Sequence, residues 1–394
     1  MTDKQTFELN REVNALEISK IRQFDDQVSI FEPLIRLTLG QPDFPTPEHV
    51  KEAAKKAIDS DFTFYTSTPG DTRLRTAASE FMKFKYDLNY DPQTEVIATV
   101  GATEALAASL FTILNPGDYV LIPSPSFTLY DSLVKMSQAI PVYMDTSLTD
   151  FMITPKMIEE TIRHLDKEPK AIILNYPNNP TGVTWSEKDV KAIASTLSQY
   201  PGILAISDEI YSELVYDQTH TSLGEHLRSQ TIVINGLSKS HAMTGWRLGL
   251  IFAPKHLTSE LVKAHQALVT SASSITQYAG IEALTNGIND AIPMKKAYKE
   301  RRDTVMRALK ELDLKVTEPK GAFYIFAAIP DGITMSSYTF CYELAKRFKV
   351  AVIPGDAFGA EGEGYFRISY ASSLNDINTA MERLVEYVTD LRKK

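Results

Sequence analysis

Lys239 stands in a run of small residues, Gly236-Leu237-Ser238-Lys239-Ser240, directly after the apolar stretch 231–235 and eight positions before Arg247. A side chain just past a strand end faces the crevice in which open α/β sheets bind ligands. Among side chains, a lysine offers the primary amine that condenses with an aldehyde. Desolvation and a nearby cation lower its pKa enough to make that amine nucleophilic. A solvated lysine beside an ordinary loop is the alternative for this residue taken alone. Asp208 closes the apolar stretch 203–207 in Ser207-Asp208-Glu209-Ile210-Tyr211. A carboxylate there is costly unless it meets a cation or a donor. The protonated ring nitrogen of an aldehyde-bearing cofactor is one such partner and would make the ring an electron sink; an N-cap of the following segment is the other reading.

Further residues could complete such a site. Gly101-Ala102-Thr103 follows a strand candidate and opens a helix, so its N–H groups and the positive helix end suit a phosphate. Small residues also occur at helix starts for packing reasons alone. Ser238 and Arg247 could add a hydroxyl and a fixed cation to the same phosphate. Asn179 lies in the turn cluster Asn175-Tyr176-Pro177-Asn178-Asn179-Pro180-Thr181-Gly182, which either only reverses the chain or offers an amide donor to a ring oxygen. Tyr211 could donate to that oxygen or be a half-buried structural tyrosine. Phe127, in Pro125-Ser126-Phe127, could stack on a ring face or belong to the core. Arg367 interrupts the apolar and aromatic run Tyr365-Phe366-Arg367-Ile368-Ser369-Tyr370, where an unpaired cation is expensive. Its planar fork suits a substrate carboxylate, or else an internal acid. His241 is read as exposed or structural, and Cys341 as a buried apolar residue.

The elements that must position these groups are legible as alternating short apolar runs and helical periodicity between residues 95 and 235, the pattern of strand–helix–strand units. Strands are predicted at 95–100, 119–122, 140–144, 171–175, 203–207, 231–235 and 247–253. Most are continuous apolar runs, as in a sheet covered on both faces. Helices are predicted at 103–114, stopped by Asn115-Pro116-Gly117, and at 186–200 with Ser186 as N-cap. Two long helical stretches follow Lys255. Then come runs at 322–327, 351–353 and 365–369, a helix near 338–348 and an amphipathic helix from Leu374. The expected fold class is α/β, a mostly parallel seven-stranded sheet plus a smaller α+β unit. The predicted division is 1–45 packing with the small unit, 46–290 as the large cofactor-binding domain and 291–394 as the small domain.

Composition narrows the partners. The 394 residues are 43% hydrophobic and 23% charged, which is ordinary for a globular enzyme with a sizeable core. The net charge of −9 is spread without a basic stripe, so neither nucleic acid nor a membrane surface is an expected partner. A single cysteine, Cys341, excludes an internal disulfide framework and a cysteine-based zinc site, and no metal is expected. It fits a reducing cytoplasm. Residues 1–10 contain no apolar h-region, and an unprocessed, soluble chain is expected.

Together, Gly40-Gln41-Pro42-Asp43-Phe44, the stretch from Tyr65 to Arg75, Asn178-Asn179-Pro180-Thr181-Gly182, Ser207 to Tyr211, Ser238-Lys239 with Arg247, and Phe366-Arg367-Ile368 resemble the class I/II aminotransferases of pyridoxal 5′-phosphate (PLP) fold type I. The match runs in order along nearly the whole chain. The resemblance implies PLP linked to Lys239 and a phosphate held by Gly101, Ala102, Thr103, Ser238 and Arg247. It implies a ring contacted by Phe127, Asn179, Asp208 and Tyr211. Gly40, Asn179 and Arg367 would bind an amino acid or 2-oxo acid substrate. Tyr65 would reach the phosphate of a neighbouring subunit, so that the active unit would be a homodimer. Gly236 departs from the pattern, since many relatives place a hydroxyl there. Residues 15–24, 231–249 and 321–326 resemble more narrowly the N-acetyl-LL-diaminopimelate aminotransferases of bacterial lysine synthesis. Aromatic amino acid transamination is the alternative, and a PLP-dependent C–S β-lyase a further one.

Overall fold

A computed structural model describes residues 8–393; residues 1–7 and Lys394 of the two expected terminal segments lie outside the described residues. A short first strand, β1 (Ile35–Arg36), precedes β2 (Val96–Val100), β3 (Tyr119–Ser124), β4 (Ile140–Asp145), β5 (Ala171–Asn175), β6 (Leu204–Asp208), β7 (Thr231–Gly236) and β8 (Leu248–Phe252). Strands β2 to β8 form one seven-stranded sheet in the order β2-β8-β7-β6-β5-β3-β4. All neighbours run parallel except β8, which is antiparallel to both β2 and β7. The predicted α/β class and the seven strands are therefore present.

Both faces of the sheet are covered, which is why its strands read as unbroken apolar runs. On one face Leu74, Val96, Leu248 and Ala279 join the helices Thr72–Tyr86 and Ser274–Thr285 to the sheet. On the other, Leu106, Ile206, Ile251 and Leu261 join the helices Gly101–Ile113 and Lys255–Val269 to it. Ile206 and Ile251 are fully buried, and burial of each such side chain contributes ~1.5–3 kcal/mol.

Local chemistry sets the boundaries. The first of these helices begins at Gly101, two residues earlier than predicted, because Gly101 at φ +75° turns the chain straight out of β2. It stops before Leu114, which is extended ahead of Asn115-Pro116. Ser186 caps the helix Glu187–Leu197 in a capping box with Asp189. The stretch after Lys255 holds three long helices rather than the predicted two, Lys255–Val269, Ser274–Thr285 and Ala291–Glu311. Thr270, with φ 68°, ends the first, and Asn286-Gly287 follows the second.

The C-terminal part contributes a three-stranded antiparallel sheet, β11-β12-β9, from β9 (Tyr324–Ala328), β11 (Ile353–Pro354) and β12 (Tyr365–Ser369). The N-terminal segment is tied to it. Strand β1 pairs in parallel with β10 (Val350–Ala351), and Ser369 N donates to Leu37 O at 2.9 Å.

The reversed direction of β8 decides where chemistry can collect. The carboxyl ends of β2, β5, β6 and β7 lie on one edge, and β8 starts at that edge, with Leu248 opposite Val100 and Gly249 opposite Gly236. Gly249 lets β8 lie against the helix start. A Cβ there would strike the Gly101 backbone and come within 2.6 Å of Ala102 N. Gly249→Ala is therefore expected to destabilise the protein by ~1–3 kcal/mol in urea unfolding, as overpacking does. Gly245→Ala, where no atom lies within 4 Å of the added carbon, is expected to change little. Equal stability of the two variants would contradict this packing.

Candidate active site

A cavity of about 1090 Å³ opens at that edge. It brings together Gly40, Ala102, Thr103, Phe127, Asn179, Asp208, Tyr211, Ser238, Lys239, Arg247 and Arg367, which lie far apart in sequence. Gly101 and Tyr65 do not line it.

Lys239 sits on the short helix Leu237–Ser240, which follows β7 without a break. Its Nζ donates to Gly40 O at 2.6 Å. Burial, reinforced by the Arg247 charge, pulls its pKa down to about 8. The amine is thus uncharged far more often than a solvated lysine at neutral pH. Asp208, the last residue of β6, is 4% exposed. Its Oδ2 accepts from Tyr130 Oη at 2.8 Å and its Oδ1 from Ile210 N at 3.3 Å. Asp208 thus accepts from the chain just after β6 and also faces the cavity. Burial pushes its pKa up to about 6, against the Tyr130 hydrogen bond.

The helix that opens at Gly101 has no side-chain cap, so its first N–H groups remain free for an anion. Thr103, Ser238 and Arg247 line the cavity beside it, and Arg247 Nη2 lies 3.5 Å from Thr103 Oγ1. Arg247 Nη1 donates to Thr244 O at 3.0 Å, which holds the guanidinium at the rim. A Cβ at Gly101 would meet Arg247 Nη2 at 2.5 Å, so only glycine leaves the cradle open. An uncapped helix start, two hydroxyls and a guanidinium are a donor set for a phosphate dianion.

Arg367 occupies the central strand β12 of the smaller sheet, opposite Phe326, and is 2% exposed. Its Nη1 donates to Asn179 Oδ1 at 2.9 Å and its Nη2 to Thr38 O at 2.6 Å, both neutral oxygens. The guanidinium lies between the Tyr324 and Phe358 rings, 4.5 and 4.8 Å from their centroids. Its Nε is buried without a partner. A buried cation held by two neutral oxygens, with its Nε–H unused, could take an anionic ligand.

Four contributors escaped the sequence reading. Tyr324 belongs to a stretch noticed for other reasons, and its Oη lies 2.8 Å from Tyr211 Oη, whereas Tyr130 lies beyond every motif singled out. Asn175 donates through Nδ2 to Asp208 O at 2.9 Å and accepts from Asn179 N at 2.9 Å, fixing the turn cluster to β6. Phe358 carries no local sequence signal. His241 is buried rather than exposed, held between Ser240 Oγ and Gly287 O at 2.8 and 3.0 Å. Cys341 is buried. At Gly236 a Cβ would come 2.8 Å from Leu248 O, so the packing leaves no room for a hydroxyl-bearing residue. Tyr65 is 87% exposed and lines a separate surface hollow with Phe62, Phe64 and Tyr278.

Comparison with known proteins fits this geometry. The profile of the family "Aminotransferase class I and II" matches residues 32–384. A probable N-acetyl-LL-diaminopimelate aminotransferase of Bacillus subtilis is 46% identical, over 98% of this chain and 97% of that protein. The solved aromatic aminotransferase of Pyrococcus horikoshii superposes with a TM-score of 0.87 at 36% identity, covering 94% of this chain and 99% of that one. The aspartate aminotransferase of Thermus thermophilus with maleate gives 0.90 at 33% identity, covering 97% and 100%. The chain belongs to the class I and II aminotransferases, enzymes that depend on pyridoxal 5′-phosphate.

Proposed function

We propose that the enzyme moves the amino group of N-acetyl-LL-diaminopimelate to 2-oxoglutarate, a step of lysine synthesis. The observation that carries the assignment of the site is the convergence of the Lys239 amine, the Asp208 carboxylate and the Arg247 and Arg367 guanidinium groups on a single cavity. The substrate assignment draws on the Bacillus relative, at 46% identity against 39% for a Pyrococcus aspartate aminotransferase. Aromatic donors are a second reading, favoured by the Tyr324 and Phe358 rings flanking Arg367.

In this proposal Lys239 holds the cofactor covalently, and Gly101, Ala102, Thr103, Ser238 and Arg247 hold its phosphate. Phe127 covers one ring face. Asn179 and Tyr211 donate to the ring oxygen, and Asp208 meets the ring nitrogen. When bound, the protonated ring would supply an electron sink for the charge left by removal of the substrate α-proton. Arg367 and the Gly40 backbone seat the substrate carboxylate and so fix which bond at the α-carbon faces Lys239. Once the incoming donor amino group has displaced it, the freed Lys239 amine, its pKa drawn down to about 8 in the unloaded chain, would take the α-proton as general base and return it later. The Gly40 carbonyl, 2.6 Å from Nζ, orients that amine.

We also propose a homodimer in which Tyr65 and the exposed Phe64 meet a second copy, and a functional division into residues 46–290 and the two terminal parts, 1–45 and 291–394. The single buried cysteine is in keeping with a cytoplasmic location. Among the described residues no helix is long and apolar enough to cross a membrane.

A half-reaction panel tests the substrate assignment. Loss of the cofactor's aldehyde-form absorption is expected with N-acetyl-LL-diaminopimelate, and weaker or no loss with phenylalanine and aspartate. Conversion by phenylalanine alone would replace the assignment with the aromatic one. Arg367→Lys keeps the charge but loses the fork, and it is expected to raise KM for the donor at least roughly thirtyfold. An unchanged KM would remove Arg367 from carboxylate recognition.

A further inference from the structure

Tyr130 is 2% exposed and sits in the first turn of the helix Leu129–Met136. Two contacts leave it in different directions. Its hydroxyl donates to Asp208 Oδ2 at 2.8 Å, and its ring meets Phe127 edge-on, with centroids 5.8 Å apart and planes at 89°. It belongs to a buried apolar cluster that includes Ile122, Ile173, Ile206 and Ile234, and it also borders the cavity. A phenol placed there without an acceptor would bear the full desolvation cost of its hydroxyl, so the core specifies the Asp208 contact rather than merely tolerating it.

The groups facing Asp208 make this contact decisive. Glu209, next on the chain, turns its carboxylate away to Ser207, Ser222 and His220, accepting at 2.7, 2.7 and 3.0 Å. Tyr211 engages Tyr324, and Lys239 engages Gly40. The remaining side-chain contact to Asp208 is the Tyr130 phenol, with Ile210 N at a longer 3.3 Å. The phenol's own pKa is driven well above its ordinary value by burial, so it stays a donor throughout the working pH range.

We propose that Tyr130 is a positioning residue that holds the Asp208 carboxylate ionised and in one orientation while bracing the Phe127 ring. One side chain thereby sets the acid at the edge of the bound ring and the aromatic surface over its face. The consequence for the cofactor rests on the roles proposed above for Asp208 and Phe127; the hold on the carboxylate belongs to the unloaded chain.

The test starts with cofactor-free protein labelled with ¹³C at aspartate carboxyls, with the Asp208 signal assigned by its loss in Asp208→Asn. Tyr130→Phe is expected to raise the midpoint of the Asp208 titration, increasing its proton affinity about tenfold or more. 3-Fluorotyrosine at position 130, a more acidic donor with almost unchanged shape, is expected to lower the midpoint. It keeps the question answerable if the phenylalanine variant folds poorly. Midpoints unchanged in both proteins overturn the inference. In loaded protein, Tyr130→Phe is expected to weaken pyridoxal 5′-phosphate binding more at low pH than at high pH, because the acid, its proton affinity raised, must then give up its proton before it can meet the ring nitrogen. A shifted midpoint with unaltered cofactor affinity would support the hold on Asp208 and remove the proposed role of Asp208 toward the ring.

Discussion

A buried amine and a buried carboxylate face the same cavity, and each is held by neutral partners. Lys239 donates to the Gly40 carbonyl, while Asp208 accepts from the Tyr130 phenol. Burial shifts both toward their uncharged forms, the amine down to about 8 and the acid up to about 6. Keeping two ionisable groups in such a state costs stability, and a core built only for stability would have apolar residues there. The surrounding structure can be understood as the scaffold that sustains this arrangement.

That scaffold is assembled from segments distant in sequence. Six strands running in one direction, β2 to β7, end on one edge, and the antiparallel β8 begins there, which delivers Arg247 to the helix start at Gly101. The smaller sheet reaches the same cavity from the other side. Arg367 on its central strand is clamped between Thr38 O, from the N-terminal segment, and Asn179 Oδ1, from the turn after β5. The placement of Arg367 thus depends on three parts of the chain being packed together at once.

Much of this was legible in the sequence because burial on both sheet faces writes itself as continuous apolar runs. Ala171–Asn175 and Leu204–Asp208 are strands for that reason, and Asp208 stood out as an acid at the end of such a run. Arg367 stood out as a cation inside an aromatic strand. What stayed hidden depends on tertiary approach. Tyr130 reads as one more core aromatic until its hydroxyl is seen 2.8 Å from Asp208, and Phe358 reaches Arg367 from a loop with no distinguishing pattern. The three helices after Lys255 were read as two because breaks such as the one at Thr270 rest on a single residue with positive φ, which periodicity does not mark. Of the two readings of His241, exposed or structural, the structural one holds, and its partner Gly287 is too remote in sequence to have shown its burial.

The central claim is that the Lys239 amine, and no other, carries the cofactor. Borohydride reduction of the pyridoxal 5′-phosphate-loaded protein, followed by proteolysis and mass spectrometry, tests it most directly. The account predicts one phosphopyridoxyl adduct, on the peptide containing Lys239, and its loss in Lys239→Ala. An adduct fixed reproducibly on a different lysine, with the Lys239 peptide unmodified, would contradict it.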